Sequence, residues 1–289
     1  MRYAIVGTGM MGREHLANIA HIPESRVVSL VDPNSGSLEH AAQVHGGESQ
    51  TFSNLHDALS GPEFDVVVIA SPNNTHADII REALDHGKHV LVEKPLATTV
   101  QDCRKIERLV ETRPGQVVAV GLEYRFMAPT AWLLDTVRAG ELGNVRMMTI
   151  IEHRFPFLDK VGAWNRFNDN TGGTFVEKCC HFFDLMYQVF RSEPIAVLAS
   201  SAETVNHRDE RYDGREPDIL DNGFVIVEFG GGRRGMLELC MFAEGSRDEQ
   251  YISVVGDKAK AEVRIPSNEC SIGDRRTGIH GVQRSEEHT

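Results

Sequence analysis

The sequence lacks any long hydrophobic run. In 289 residues, no apolar stretch approaches the roughly 18 to 20 residues that a transmembrane helix needs. Positive charge is also in deficit, because 30 Lys and Arg stand against 42 Asp and Glu, for a net charge of -12. This balance gives no electrostatic reason to expect a nucleic acid or an anionic membrane as a partner. A strand-like run starts at Arg2, so we expect no signal peptide before the fold.

Cysteine is scarce and shows no metal-ligand spacing. The five cysteines, an odd number, are Cys103, Cys179, Cys180, Cys240 and Cys270. Without paired C-x-x-C spacing, the pattern predicts no metal site. Free thiols are typical of a reducing compartment, so we expect a cytoplasmic protein.

Short apolar runs alternate with amphipathic stretches over the first 120 residues. Strands are predicted at Tyr3–Val6, Val27–Val31, Val66–Ala70, His89–Val92 and Gln116–Val120. Helices are predicted near Met11–Ala20, Leu38–Ala42, Leu55–Leu59, His76–His86 and Val100–Glu111. This alternation, with continuously apolar strands, is typical of an α/β fold with a parallel, doubly wound sheet. We predict such a domain over residues 1–121.

The rhythm changes near Gly121. We predict a helix at Pro129–Ala139, a strand at Val145–Glu152 and one long helix at Thr174–Phe190. Four further strands are predicted at Ala196–Ser201, Gly223–Phe229, Arg234–Phe242 and Tyr251–Val255. Strands in series without helices indicate a largely antiparallel sheet. The turn Gly230–Gly232 predicts a hairpin, and the charged interval Asn206–Asp221 predicts a surface loop. We predict a second, α+β domain over residues 122–289.

The last six residues, Arg284–Thr289, resemble the in-frame translation of a common sequencing adapter. We therefore expect the natural chain to differ beyond about Gln283 and the second domain to lack a terminal element.

The segment Gly7–Gly12 has the pattern G-x-G-x-x-G between the first strand and the first helix. Gly7 permits a tight turn, Gly9 lets the backbone approach a pyrophosphate, and Gly12 allows close packing of helix on strand. The helix N-terminus, at Met10 and Met11, offers unpaired N–H groups to phosphates. A purely structural strand-to-helix turn is the alternative.

Asp32 ends the second strand about 20 positions after the last of these glycines, where a carboxylate accepts hydrogen bonds from the adenosine ribose. Its charge repels a 2′-phosphate, and Pro33–Ser35 contains no arginine to neutralise one. The cofactor predicted is NAD rather than NADP.

Two more loops follow strands of the same predicted sheet. Because open α/β sheets bind ligands at the carboxyl ends of their strands, both are expected to line the cofactor crevice. The residues concerned are Ser71, Pro72, Asn73 and His76 in one loop and Glu93 and Lys94 in the other. Pro95 restricts Lys94 to extended geometry. The alternatives are a helix N-cap by Asn73 or Asn74 and a solvated loop lysine.

Glu177 and His181 are four residues apart in the predicted helix Thr174–Phe190, with Asp184 one turn further. On one helix, Glu177 and His181 share a face. A carboxylate beside an imidazole fixes its tautomer and raises its pKa, which suits a proton-transfer histidine. A divalent metal site and a salt pair without function remain alternatives.

Together these motifs resemble the Gfo/Idh/MocA family of NAD(P)-dependent sugar and inositol dehydrogenases. The matching segments are the glycine loop with Asp32, Ser71–His76, Glu93–Pro95, Glu123–Phe126 with Pro129, and Gly172–Gly173 leading to His181 and Asp184. The resemblance implies a Rossmann domain and a second domain for substrate binding and oligomerisation, as a dimer or tetramer. Glu177 and Cys179 depart from the family's usual aspartate and glycine, so the substrate is not taken over from the inositol enzymes.

The resemblance also implies residue roles. Hydride would move between nicotinamide and a carbinol or keto carbon of a sugar, polyol or inositol, with Lys94 and His181 as the catalytic pair and Glu177 as their support. Arg125 is expected near the cofactor, and Tyr124, Trp164, Asn165 and Arg166 near the substrate. The competing hypotheses are an NAD-dependent glycosidase of the same family, a non-catalytic dinucleotide-binding regulator and, last, a metal-dependent lyase.

Overall fold

A computed structural model describes residues 1–46, 48–277 and 282–284. Their contacts divide the chain into two compact units. Unit 1 contains Met1–Gly121 and Asp159–Glu177, and unit 2 contains Leu122–Leu158 and Lys178–Thr289. The assignment of functional domains to residues 1–121 and 122–289 stays a prediction. Of the adapter-like segment, residues 285–289 lie outside the described residues.

Unit 1 is built on a six-stranded parallel sheet. The strands are β1 (Arg2–Val6), β2 (Arg26–Val31), β3 (Gln50–Phe52), β4 (Val66–Ile69), β5 (His89–Glu93) and β6 (Val118–Gly121). Their order, β3-β2-β1-β4-β5-β6, is that of a Rossmann fold, and every neighbouring pair is parallel. The predicted doubly wound sheet is confirmed.

Helices separate these strands along the chain: α1 (Met10–Ile19), α2 (Ser35–Val44), α3 (Leu55–Leu59), α4 (His76–Asp85) and α5 (Val100–Glu111). Side chains of Asn34, Asn54 and Thr99 cap α2, α3 and α5 by accepting a backbone N–H of the first turn. One core cluster of the unit includes Ile5, Leu16 and Leu30, and another includes Val67, Ile69 and Ile80. Each such fully buried side chain contributes about 1.5 to 3 kcal/mol.

Unit 2 contains an eight-stranded sheet with the helices α6 (Ala128–Arg138) and α9 (Cys180–Phe190). Its strands are β7 (Val145–His153), β8 (Pro194–Ala202), β9 (Asn222–Phe229), β10 (Arg233–Cys240), β11 (Gln250–Gly256), β12 (Ala259–Ile265), β13 (Cys270–Asp274) and β14 (Val282–Arg284). The order is β14-β13-β12-β11-β7-β10-β9-β8, and only β7 and β10 pair in parallel among these strands. The predicted antiparallel α+β architecture and the hairpin at Gly230–Gly232 are confirmed.

The prediction of one continuous helix over Thr174–Phe190 is wrong. Unit 1 contains the short helices α7 (Asn168–Thr171) and α8 (Thr174–Glu177), and α9 starts at Cys180 in unit 2. In an uninterrupted helix, the Glu177 carbonyl would accept the amide N–H four residues later. Here it accepts a hydrogen bond from the Lys94 side chain, at 2.9 Å. The argument that Glu177 and His181 share one helix face therefore fails.

No helix within the described part of the chain combines the length and the apolar character required to cross a membrane.

Candidate active site

The glycines of the Gly7–Gly12 loop in unit 1 differ in how much space surrounds them. Gly7 has φ +89°, and a Cβ there would lie 2.5 Å from Ser71 N, while a Cβ on Gly12 would lie 1.9 Å from the Gly7 carbonyl oxygen. A Cβ on Gly9, by contrast, would meet nothing within 4 Å. Gly9 is also the N-cap of α1, whose first turn carries Met10 and Met11. The open cradle at a helix N-terminus fits a dinucleotide pyrophosphate.

Asp32 is fixed beside this loop. Its Oδ2 accepts hydrogen bonds from Thr8 N at 2.8 Å and Thr8 Oγ1 at 3.2 Å, and its Oδ1 accepts one from Asn34 N at 2.8 Å. An ionised carboxylate has about four acceptor sites, so capacity remains for a ribose hydroxyl.

The buried His76 side chain connects the two other loops that were predicted to line the cofactor crevice. It is fully buried, with Nδ1 2.8 Å from the Pro95 carbonyl oxygen and Nε2 3.1 Å from that of Ser71. Burial lowers its pKa against the effect of these two hydrogen bonds, which favours the neutral ring. His76 thus holds the Ser71–Pro72 loop and the Lys94–Pro95 loop together. Its predicted place in the cofactor crevice stays a prediction.

Lys94, Glu177 and Asn73 form one hydrogen-bonded cluster inside unit 1. Lys94 Nζ donates to the Glu177 carbonyl and lies 3.4 Å from Glu177 Oε1. The buried Asn73 amide donates to Glu177 Oε2 and, at 3.3 Å, to the Thr171 carbonyl. The predicted asparagine cap of α4 is wrong, because Thr75 is the N-cap and Asn73 supports the carboxylate. The structure thus brings together two of the predicted catalytic residues, Lys94 and Glu177. The contact comes from the loop that carries Lys94 and does not depend on a helix face shared by Glu177 and His181.

Two titratable residues near this cluster, His15 and Lys160, were not predicted from the sequence. His15 Nε2 lies 2.7 Å from Glu93 Oε1. Burial would raise the pKa of Glu93, but the hydrogen bond from His15 and the charges of His15 and Lys94 lower it below its ordinary value. Burial lowers the pKa of Lys160, against the carboxylates of Glu177 and Glu93. His15 follows the glycine motif on α1, which is a usable sequence signal, whereas nothing in the chain marks Lys160.

The predicted substrate residues Trp164, Asn165 and Arg166 lie in a 3₁₀ segment of unit 1. Asn165 and Arg166 are buried, and Arg166 Nη2 is 2.6 Å from Asp159 Oδ1. Trp164 is partly exposed, and its carbonyl accepts a hydrogen bond from the Asn170 amide at 3.0 Å. The expected contact of these three residues with the substrate stays a prediction.

In unit 2, His181 lies on α9 and is buried, with Nε2 3.4 Å from Glu123 Oε1. The predicted cofactor residue Arg125 makes a two-point ion pair with Asp184, which raises the pKa of Arg125. The predicted substrate residue Tyr124 is buried, with its ring centroid 4.6 Å from that of His181. Tyr124 therefore packs against the histidine, and its predicted contact with the substrate stays a prediction.

No group of three or more His, Cys, Asp or Glu side chains is placed to hold a metal ion within residues 1–46, 48–277 and 282–284. The metal-dependent lyase hypothesis gains no support from the described residues.

Comparisons with known proteins identify relatives over nearly the whole chain. The inositol 2-dehydrogenase of Salmonella typhimurium is 30% identical over 264 residues, which are 91% of this chain and 74% of that protein. The rhizopine catabolism protein MocA of Rhizobium meliloti is 28% identical over 91% of this chain and 78% of its own length. Among solved structures, a levoglucosan dehydrogenase in complex with NADH superposes with a TM-score of 0.86 at 20% identity, over 100% of this chain and 80% of that one.

Two family models match in tandem. The first, described as an oxidoreductase family with an NAD-binding Rossmann fold, matches residues 1–122, and the second, described as the C-terminal alpha/beta domain of that oxidoreductase family, matches residues 135–288. At the level of the family, the prediction of an NAD(P)-dependent dehydrogenase acting on CH–OH groups is confirmed. This chain belongs to the Gfo/Idh/MocA family of NAD-binding oxidoreductases.

Proposed function

We propose that this protein is an NAD-dependent dehydrogenase that exchanges a hydride between the nicotinamide and a carbinol or keto carbon of a sugar, polyol or inositol. The observation that carries the proposal is the Lys94–Glu177–Asn73 cluster, in which a lysine ammonium is held by a carbonyl and a carboxylate. The names of the relatives, which refer to inositols and sugars, support the substrate class.

Each proposed role follows from what the side chain can do. During oxidation, His181 accepts the hydroxyl proton, and Lys94 donates a hydrogen bond to the same oxygen as negative charge develops on it. Glu177 orients the ammonium, and Asn73 keeps the Glu177 carboxylate in place. Bound NAD supplies the hydride acceptor, so the carbinol loses one hydride and one proton and becomes a carbonyl.

The cofactor is held, in this proposal, by the Gly7–Gly12 loop and by Asp32. The carboxylate of Asp32 accepts from the ribose hydroxyls and repels a 2′-phosphate, which favours NAD over NADP. An odd number of cysteines without paired spacing is consistent with a reducing, cytoplasmic location. We also propose a homo-oligomer, on the evidence of exposed apolar side chains on β8 and β9.

The test is a screen of polyols, inositols and aldoses with NAD and, separately, with NADP, in which NADH or NADPH formation is followed by absorbance. Net reduction of NAD with at least one of these substrates is expected. Release of aglycone from aryl glycosides without net NADH would favour the glycosidase hypothesis. NAD binding without either reaction would favour the regulator.

For the residue assignment, we expect Lys94→Met to reduce kcat by at least 100-fold while the Kd for NAD changes less than threefold, because the lysine acts on the substrate oxygen. The matched control is Lys105→Met, which removes an exposed lysine paired with Asp102 on α5 of the same unit. Unchanged turnover in Lys94→Met would refute the assignment.

A further inference from the structure

The centre of the unit 2 sheet contains a carboxylate. Glu152 lies near the end of β7, which is flanked by β10 and β11, and its side chain is 0% exposed. Its neighbours on the same face of the strand are the buried Met148 and Ile150. An isolated carboxylate in such surroundings is strongly unfavourable, so Glu152 requires a cation as its partner.

Lys178 is the cation. Its Nζ lies 2.9 Å from Glu152 Oε1, and Lys178 is only 7% exposed. Arg154 Nη1 is a more distant second cation at 3.9 Å from the same oxygen. A buried ion pair is weak evidence for stability, because well-packed apolar residues of similar volume are often as good or better. The pair therefore points to a role beyond holding the sheet and helix together.

That role is indicated by Tyr124. Lys178 Nζ donates a hydrogen bond to Tyr124 Oη at 3.0 Å. Burial and the charge of Glu152 raise the pKa of Tyr124, so its phenol stays neutral. The Tyr124 ring lies against His181 at 4.6 Å with an interplanar angle of 32°, and Phe182 packs on it edge-on at 5.4 Å. Lys178, held by Glu152, fixes the position of the Tyr124 hydroxyl. The ring that carries this hydroxyl packs against the His181 imidazole.

We propose that Lys178, with Glu152 as its counter-ion, is a positioning residue for His181 and acts through Tyr124. The inference rests on the proposed function, in which His181 accepts the substrate proton. A proton acceptor must be held within hydrogen-bond reach of the reacting hydroxyl, and a displacement of about 1 Å can cost about 100-fold in rate. The contacts from Glu152 to Lys178 to Tyr124 restrict the movement of the ring that packs against the His181 imidazole.

The first test measures position without turnover. In protein with isotope-labelled histidine, the ring resonances of His181 are assigned by their loss in His181→Asn. Lys178→Met is expected to move or broaden them, because the ring-current shift from Tyr124 depends on the stacking distance. The matched control is Lys260→Met, since Lys260 contacts Glu262 at 2.7 Å and Tyr251 Oη at 3.3 Å, the same three residue types on the exposed side of the same unit. Unchanged His181 resonances in Lys178→Met would overturn the proposal.

The second test separates positioning from stability. Lys178→Met is expected to lower kcat at least tenfold with KM within threefold, and Tyr124→Phe, which keeps the ring, to lower it in the same sense. The double variant Lys178→Met with Glu152→Met is expected to regain thermal stability but not kcat, because neither charge of the Lys178–Glu152 pair is left without the other. Recovery of kcat in the double variant would show a merely structural role and refute the proposal. Absence of turnover in the wild type would refute the proposed function instead, and the resonances of His181 would still decide the positioning role.

Discussion

Gly9 and Gly12 occupy the same motif for different physical reasons. A methyl group on Gly12 would lie 1.9 Å from the Gly7 carbonyl oxygen, whereas one on Gly9 would meet nothing within 4 Å. The fold requires Gly12, whereas Gly9 is required only in the proposed cofactor site, where a pyrophosphate approaches the backbone.

We therefore expect Gly12→Ala to lower the thermal unfolding midpoint strongly, since the overlap with backbone forces α1 away from β1 at a cost of about 1 to 3 kcal/mol or more. Gly9→Ala should leave the midpoint within about 2 °C of the wild type and weaken NAD binding at least tenfold. Thermal unfolding and NAD titration of both variants measure the two effects. Equal NAD affinity in Gly9→Ala and the wild type would contradict the placement of the pyrophosphate at this loop.

The positions of residues that directly follow a strand could be predicted from the sequence. The glycine loop, Asp32 and Lys94 follow apolar strands at offsets that parallel sheets impose. Glu152 and Lys178 could not be paired in advance, because their contact joins a strand to the start of a helix across distant chain positions. One signal was nonetheless present: alternation along β7 places Glu152 on the same face as Met148 and Ile150, and a lone carboxylate on a buried face requires a partner.

At the scale of an element, the segment between β8 and β9 is organised by one carboxylate. Asp221 accepts backbone hydrogen bonds from Thr204 at 3.1 Å, Val205 at 2.7 Å and Asn206 at 2.8 Å. Burial alone would raise the pKa of Asp221, but these N–H donors and the Asn222 amide lower it below its ordinary value. A depressed folded-state pKa means that the ionised form stabilises the fold above the unfolded-state pKa, which is about 3.9.

We expect Asp221→Asn to be less stable than the wild type at pH 7. The difference should disappear as the pH falls below about 4 and through the lower folded-state pKa, because the wild-type carboxyl is then protonated. Denaturant unfolding of both proteins from pH 7 to pH 3 measures this. The control is Asp209→Asn, which changes an exposed aspartate of the same segment and should leave the free energy of unfolding unchanged at every pH. A stability difference independent of pH would show that the side-chain shape matters and the charge does not.

Elements differed in how well the sequence predicted them. Strands of continuous Val, Ile and Leu, such as β4, were predicted within one residue. β3 was missed because three residues, Gln50–Phe52, carry too little pattern. β12 was missed although its sequence alternates apolar and charged side chains, so the period-two signal was present and went unused. The break between α8 and α9 could not be predicted, since it depends on Lys94 reaching the Glu177 carbonyl.

At the scale of the whole molecule, one face of the unit 2 sheet carries a row of apolar side chains, two of which are exposed. Leu198 on β8 pairs with Ile226 on β9, and Ile226 pairs with Met236 on β10, so the three side chains form a row across the strands. In this row, Leu198 is 57% and Ile226 39% exposed. Among the described strands, β8 is also the last of the sheet on this side, and proteins normally cover or charge such an edge.

A second copy of the chain, seated on this face, would bury the Leu198–Ile226–Met236 row, and this leads to the last prediction. The wild type should sediment as a dimer or tetramer of the 32.1 kDa chain, and Ile226→Glu should shift it towards the 32.1 kDa monomer, because a charge buried at an interface without a partner is costly. The matched control is Val44→Glu, which places the same charge on an exposed valine of α2 in unit 1 and should leave the assembly intact. Sedimentation velocity over a range of concentrations measures all three proteins. A monomeric wild type, or an Ile226→Glu variant that assembles as tightly as the control, would place the interface elsewhere or remove it.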